Sequence, residues 1–489
     1  MVETWAMAVL RDVPFISGWK TVASLTPFIA FLNTLEHDAP TDATGNITLG
    51  TVFRGAGVDE LLGSYVSQYL LLPFDYGGLR VQQKYRVEND TAPSVTDEGW
   101  LAIQQGEDVA VAPRAAEPAQ YAASMRVLGS MVHKDPLFQF YYNAALISFG
   151  CGVTPVGLET AAGDTDPKIT AWTDGGGPDV LAAVRRAGPA APRASAPAPR
   201  PTPHPTPHLT LHLQVAHVAR GALQTAWFHK WNVHMRIRPE VLAQRFVLCS
   251  RDATLCAAIG LKERFDSIPD DVKELISQHN RQLLLKEREN NGSMTNLYLA
   301  LQYPEGAPTH PSWPAGHAVV AGACVTVIKA MLATVDPVTL KRKPWPHKAC
   351  PAKMAAADGS KLVDDSSAED DGVTIVGELH KLASNVALGR NMAGVHFRTD
   401  GNGPLHRHIT PTPNPPHTHI LASFMATFVP DRATRVRPRA LTRSASSPVC
   451  PTRGRGHPPR RGICADVPAA NIADRRPQGA AQLVPPLQV

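Results

Sequence analysis

Six stretches of the chain carry apolar residues at the three- and four-residue spacing of a helix. In 58–72 (VDELLGSYVSQYLLL) the pattern stops at Pro73, which has no amide donor with which to continue a helix. Residues 136–147 (PLFQFYYNAALI) are rich in aromatics and predict a buried helix. Residues 215–231 and 272–287 (VKELISQHNRQLLLKE) each show one apolar and one polar face. Residues 318–333 are apolar round nearly the whole circumference, which predicts a helix covered on every side. Residues 377–388 predict another helix, ended by Gly389. Few runs alternate as strands do, and no internal repeat is visible. Buried helices with long connections predict an all-α bundle.

Proline divides the chain. Eight of the 44 prolines fall in 188–207 and fifteen more in 404–489. Proline fixes φ and removes a donor, so both stretches are expected to be extended or disordered. The implied organisation is an N-terminal helical region 1–186, a Pro/Ala/His-rich insert 187–216, a helical region 217–403 and a Pro/Arg-rich tail 404–489. Histidines of HPTPHLTLH sit among prolines and threonines, a poor arrangement for sharing one metal.

Composition excludes several classes. Hydrophobic residues make up 44% and charged residues 19%, the balance of a chain with a large core rather than a disordered one. The net charge of +5 is misleading: 431–489 holds eleven arginines against three aspartates, a net +8, so the remainder is −3. The basic character belongs to a tail without interleaved aromatics, and no nucleic-acid face is expected. The best apolar run, 318–332, is short and carries Lys329, so no membrane span is expected. The first residues do not have the pattern of a secretory signal. Seven cysteines, an odd number without a C-x-x-C pair, predict buried free thiols rather than a disulfide framework or zinc site.

Three segments carry chemistry. HKWNVHMRIRP offers Lys230 and Arg238 near a helix end. Eight residues apart on an ideal helix they differ by about 80° in direction, so they converge only if the helix bends or ends between them. HPSWPAGHA delivers Gly316 and His317 to the start of the apolar helix, where free amides and a partial positive charge favour an anion. GRNMAGVHFRTD places Arg390 six residues before His396, and Asp400 four residues after it, within reach of the imidazole. A lysine, two arginines, a helix-start Gly-His and a second histidine together suit a tetrahedral oxyanion such as phosphate or vanadate.

In these motifs the chain resembles the vanadium-dependent haloperoxidases, and in particular the algal bromoperoxidase branch. That family shares its site plan with type 2 phosphatidic acid phosphatases and bacterial acid phosphatases. The resemblance covers 50–186 and 217–403. The seven residues between Lys230 and Arg238, rather than six, and the His310 that opens the second segment favour the bromoperoxidases over the phosphatases. It implies a helical bundle and vanadate bound to His396 as metal ligand. Lys230, Arg238, Arg390 and the Gly316 amide would hold the oxygens. His317 would serve as acid–base partner, with His310 tuning proton transfer, Asp400 orienting His396, and Trp227 near the halide pocket. The implied reaction is oxidation of bromide or iodide by hydrogen peroxide to a hypohalous species that halogenates an organic acceptor. A homo-oligomer is also implied.

Two departures bear on this. Ala315 stands where the family has Ser, removing a hydroxyl from the oxyanion's surroundings. After 403 the family continues with more helix, whereas this chain turns to proline and arginine. An acid or lipid phosphatase, or a non-catalytic oxyanion-binding remnant, are the alternatives.

Overall fold

The computed structural model describes residues 1–17, 19, 22–37, 39–109, 118–154, 207–286, 295–336, 338–366 and 372–401. In chain order the helices are α1 (Val2–Val9), α2 (Leu25–Leu32), α3 (Asp97–Gln105), α4 (Met125–Met131), α5 (Gln139–Gly150), α6 (Pro207–His229), α7 (Pro239–Arg251), α8 (Ala253–Ala258), α9 (Lys262–Asp266), α10 (Asp270–Lys286), α11 (Gly316–Met331) and α12 (Ile375–Met392). Two short antiparallel hairpins pair β1 (Phe74–Tyr76) with β2 (Leu79–Val81) and β3 (Lys353–Ala355) with β4 (Leu362–Asp364). The chain is therefore helix-dominated, as its periodicity predicts. Among the described residues no helix is long and apolar enough to cross a membrane.

The centre is α11, packed against α6 on one side and α12 on another. Ala318 to Val325 of α11 are all buried, and its alanines and glycine let neighbouring backbones approach closely. Every residue of α12 is buried, including its polar ones. Several of those are paired: Lys381 meets Glu378 at 2.6 Å and the Leu62 carbonyl at 2.8 Å, and His380 meets Lys329 at 2.9 Å. Such pairing is what burial of charge requires.

Three local expectations are corrected. Gly389 does not end α12, which runs three residues further. A Cβ at 389 would stand 2.8 Å from the Leu128 carbonyl oxygen, so the glycine marks the crossing of α4 over α12 instead of a stop. Residues 58–72 do not form a helix; they contain only a short 3-10 turn, Gln68–Leu70. Two of their backbone donors go to α12: Ser67 N reaches Asn385 Oδ1 at 2.9 Å and Gln68 N reaches Glu378 Oε2 at 2.7 Å. The apolar spacing there reflects burial on several sides, with Tyr69, Leu70 and Leu71 all inside.

The third correction concerns cysteine. Cys151 pairs with Cys350, and Cys249 with Cys256, while Cys324 is free and buried. An odd count and the absence of C-x-x-C carry no information about partners 199 residues apart, nor about two cysteines that flank the α7–α8 corner. Helix α6 begins at Pro207, the last residue of the stretch expected to be extended, and so takes in the end of the insert 187–216. The rest of the insert, 187–206, and the tail lie outside the described residues.

Candidate oxyanion site

The first segment does break between its two cations. Helix α6 ends at His229, Lys230–His234 form a π turn, and Met235 takes a left-handed conformation (φ 46°). Arg238 is then extended, as a residue before proline must be, and caps α7. Lys230 is wholly buried and donates to the carbonyls of Pro311 (2.6 Å) and Ser312 (3.0 Å), which fastens the first segment to the second.

Arg238 gathers the other segments. Its Nε donates to the His310 carbonyl at 3.1 Å and its Nη2 to His310 Nδ1 at 3.1 Å. Its Nη1 donates to the Val395 carbonyl at 2.8 Å and to His396 Nε2 at 3.0 Å. On the far side of that ring, Nδ1 meets Asp400 Oδ2 at 3.0 Å. With a carboxylate on Nδ1 and a guanidinium on Nε2, the proton sits on Nδ1 and the Nε2 lone pair points at the cations. Asp400 is held in turn by Arg236 (2.8 Å), by the Ser312 hydroxyl and by the Phe397 amide (3.0 Å).

The second segment supplies a helix start. Ala315 is the N-cap of α11 and makes no side-chain cap, so the first amides of the helix lack the usual hydroxyl partner. Gly316 is the first helical residue, and a Cβ there would stand 3.1 Å from Leu223 Cδ1. His317 Nε2 lies 2.9 Å from Asp135 Oδ1. Sequence reasoning missed Asp135, which immediately precedes the aromatic stretch 136–147; only the spatial contact with His317 reveals it. Arg236 and Ser312 were likewise inside quoted motifs but assigned no part.

Arg390, on the last turn of α12, donates to the Val132 carbonyl at 2.7 Å and the Tyr303 hydroxyl at 3.2 Å. Its Nε is buried with no partner among the described residues. Trp227 is half exposed, its ring 6.3 Å from that of His310. It lines an apolar cavity of about 380 Å³ with Leu137, Phe138, Ala219 and Leu223. The cavity therefore adjoins the Gly316 turn through Leu223.

Electrostatics follow from this crowding. Burial, with Arg238 adding to it, pulls Lys230 down to about 7. Burial and the same cations hold His310 near 4, and burial followed by Arg238 holds His396 well below its ordinary value. Burial also lowers His317 against the pull of Asp135. Among the described residues no carboxylate forms an ion pair with Lys230, Arg238 or Arg390; their partners are carbonyls, a phenol and imidazoles. Three buried cations, none in direct contact with a carboxylate although Glu240, Asp400 and Asp135 act on them from further off, and one with an orphaned donor, are costly unless an anion completes them. The residues present thus fit a tetrahedral oxyanion. The described residues contain no group of three His, Cys, Asp or Glu side chains fit to hold a bare cation.

The chain is 27% identical over 448 residues to a vanadium-dependent bromoperoxidase of Corallina pilulifera, a match spanning 82% of this chain and 66% of the relative. It is 28% identical over 408 residues to one from Ascophyllum nodosum, spanning 82% and 64%. The chain is similar in sequence and in fold to the vanadium-dependent bromoperoxidases. The fold likeness is to a homohexameric second vanadate-dependent bromoperoxidase from Ascophyllum nodosum, with a TM-score of 0.61, 22% identity, and 83% of this chain and 63% of that one covered. The chain spans just under two thirds of the length of these relatives. No protein-family model matches it.

Proposed function

We propose that the chain is a vanadate-dependent haloperoxidase that oxidises bromide or iodide with hydrogen peroxide and halogenates organic acceptors. The observation that carries this reading is the set of buried cations, Lys230, Arg238 and Arg390, none in direct contact with a carboxylate among the described residues, with Arg238 at the nitrogen of His396 that Asp400 leaves free. The bromoperoxidase names of the similar proteins support vanadate over phosphate as the anion.

In this reading His396 Nε2, now 3.0 Å from Arg238 Nη1, would be the vanadium ligand. Arg238, Lys230, Arg390 Nε and the Gly316 amide would hold its oxygens. Bound there, vanadate would supply Lewis-acid activation of peroxide toward halide. The chain supplies fixed positive charge where oxygen charge develops, without reorganisation. His317 has its Nε2 proton turned to Asp135, so Nδ1 is the nitrogen that takes up or returns a proton, and burial keeps the ring neutral enough to accept one. His310 Nδ1 lies between Arg238 Nη2 at 3.1 Å and the Pro311 carbonyl at 3.3 Å, which fixes the ring beside the cations. The cavity beside Trp227 would admit halide and an apolar acceptor.

The test is bromination of a phenolic dye by peroxide and bromide, with and without added vanadate. Vanadate- and bromide-dependent colour change is the expected result; phosphatase activity without it would favour the phosphatase reading. A homo-oligomer belongs to the same proposal, supported by the hexameric neighbour and by exposed Trp227, Phe228, Trp231 and Met235 around the turn after α6. Sedimentation would measure it.

A further inference from the structure

We propose that Tyr303 is a positioning residue that sets the plane of Arg390, and that His133 clamps Tyr303. The inference rests on the oxyanion reading of the site. The Arg390 guanidinium lies 5.1 Å from the centre of the Tyr303 ring and its Nη1 donates to the Tyr303 hydroxyl at 3.2 Å. That hydroxyl donates in turn to the Gly129 carbonyl at 2.8 Å, which aims its lone pair back at Arg390. Burial pushes the phenol up to about 12, so it stays neutral and can play both parts.

The ring itself is fixed. His133 stacks on it, centroids 3.8 Å apart and planes within 6°. His133 has both nitrogens taken: Nδ1 by Glu88 at 2.7 Å, and Nε2 by Glu305. On another side Tyr303 packs with Ala393 and Val395, the residues that lead into His396. A guanidinium on a flexible stem has many orientations, and only some leave Nε facing a ligand. The Val132 carbonyl and the Tyr303 face and hydroxyl together select one in which Nε is buried and unpartnered. Tyr303 touches no ligand; it acts through Arg390.

Titration calorimetry of the full chain with inorganic vanadate, and separately with inorganic phosphate, tests this. Tyr303→Phe keeps the ring and is expected to bind within roughly threefold of wild type, whereas Tyr303→Leu removes the cation–π face and is expected to bind roughly tenfold more weakly. In an Arg390→Ala background Tyr303→Leu is expected to add little, because the partner through which it acts is gone. Equal losses in both backgrounds, or no loss in either, would overturn the proposal and leave Tyr303 a packing residue. If Tyr303→Leu fails to fold, His133→Ala takes its place: weaker vanadate binding by a few-fold supports the clamp, and unchanged binding refutes it. A wild-type chain that binds neither anion would instead sink the oxyanion reading, and this inference with it.

Discussion

Asp400 holds one nitrogen of the His396 ring at 3.0 Å while Arg238 approaches the other at 3.0 Å. The carboxylate fixes the tautomer, and the guanidinium marks where the free lone pair points. Asp400→Asn keeps the size of the side chain but removes the charge that holds the proton on Nδ1. Vanadate affinity is expected to fall roughly ten- to a hundredfold, the usual cost of losing such an outer partner. Equilibrium dialysis with vanadium analysis would measure it, and wild-type affinity in Asp400→Asn would refute the assigned tautomer.

Ala315 sits where a hydroxyl would serve two needs at once. It is the uncapped N-cap of α11, and it borders Gly316 at the proposed oxyanion. Ala315→Ser should stabilise the fold by about 1 kcal/mol through the cap. It should also tighten vanadate binding by roughly tenfold or more through a hydrogen bond to a charged group. Thermal unfolding reads the first and calorimetry the second. A higher melting temperature with unchanged vanadate binding would place the hydroxyl on the helix alone.

Much of this site was legible because its chemistry lies in short segments. Gly316-His317 at a helix start and Asp400 one turn beyond His396 follow from local geometry, and both are observed. Convergence of Lys230 with Arg238 was legible only as a requirement that the helix break; the π turn and Met235 fulfil it. Contacts between distant segments left no periodic trace. Asp135 reaches His317 across 182 residues, and Cys151 reaches Cys350 across 199. Residues 58–72 misled for a related reason, since a segment buried on several sides has helix-like spacing without helical hydrogen bonds.

Lys230 gives the site a pH dependence. Burial and Arg238 lower its pKa to about 7, so above that pH the free site holds a neutral amine. An anion recharges it, and binding then takes up a proton. Affinity for vanadate is expected to fall by up to about tenfold per pH unit above 7 beyond any titration of the anion itself. Lys230→Arg stays charged throughout. The ratio of wild-type to Lys230→Arg dissociation constants should therefore grow from pH 7 to 9, and a flat ratio would show that Lys230 is already charged.

Four buried or half-buried histidines, His310, His317, His380 and His396, have their pKa values lowered, first of all by burial. A lowered histidine is neutral in the fold while the unfolded chain takes up protons below about 6.5. Stability is thus full above that pH and is lost as pH falls toward 4, where His310 and His380 titrate in the fold. The melting temperature should drop across this window. His380→Asn, which can still donate to the Val58 carbonyl, should flatten the drop. Identical pH profiles for the two proteins would refute the assignment of His380.

The two disulfides should differ in what they contribute. Cys151–Cys350 closes a loop of 199 residues, whereas Cys249–Cys256 closes one of 7 across the α7–α8 corner. A cross-link restricts the unfolded chain more when it closes a longer loop, with entropic ceilings of about 5 and about 2.5 kcal/mol respectively. Paired Cys→Ser variants, compared by denaturant unfolding, should show the larger loss for Cys151/Cys350. The Cys249/Cys256 variant should lose less and should leave vanadate binding intact, because its cluster with Leu261 and Phe265 includes none of the residues proposed to hold the oxyanion. Equal losses would mean that native-state packing around the bridges, rather than loop length, decides their effect.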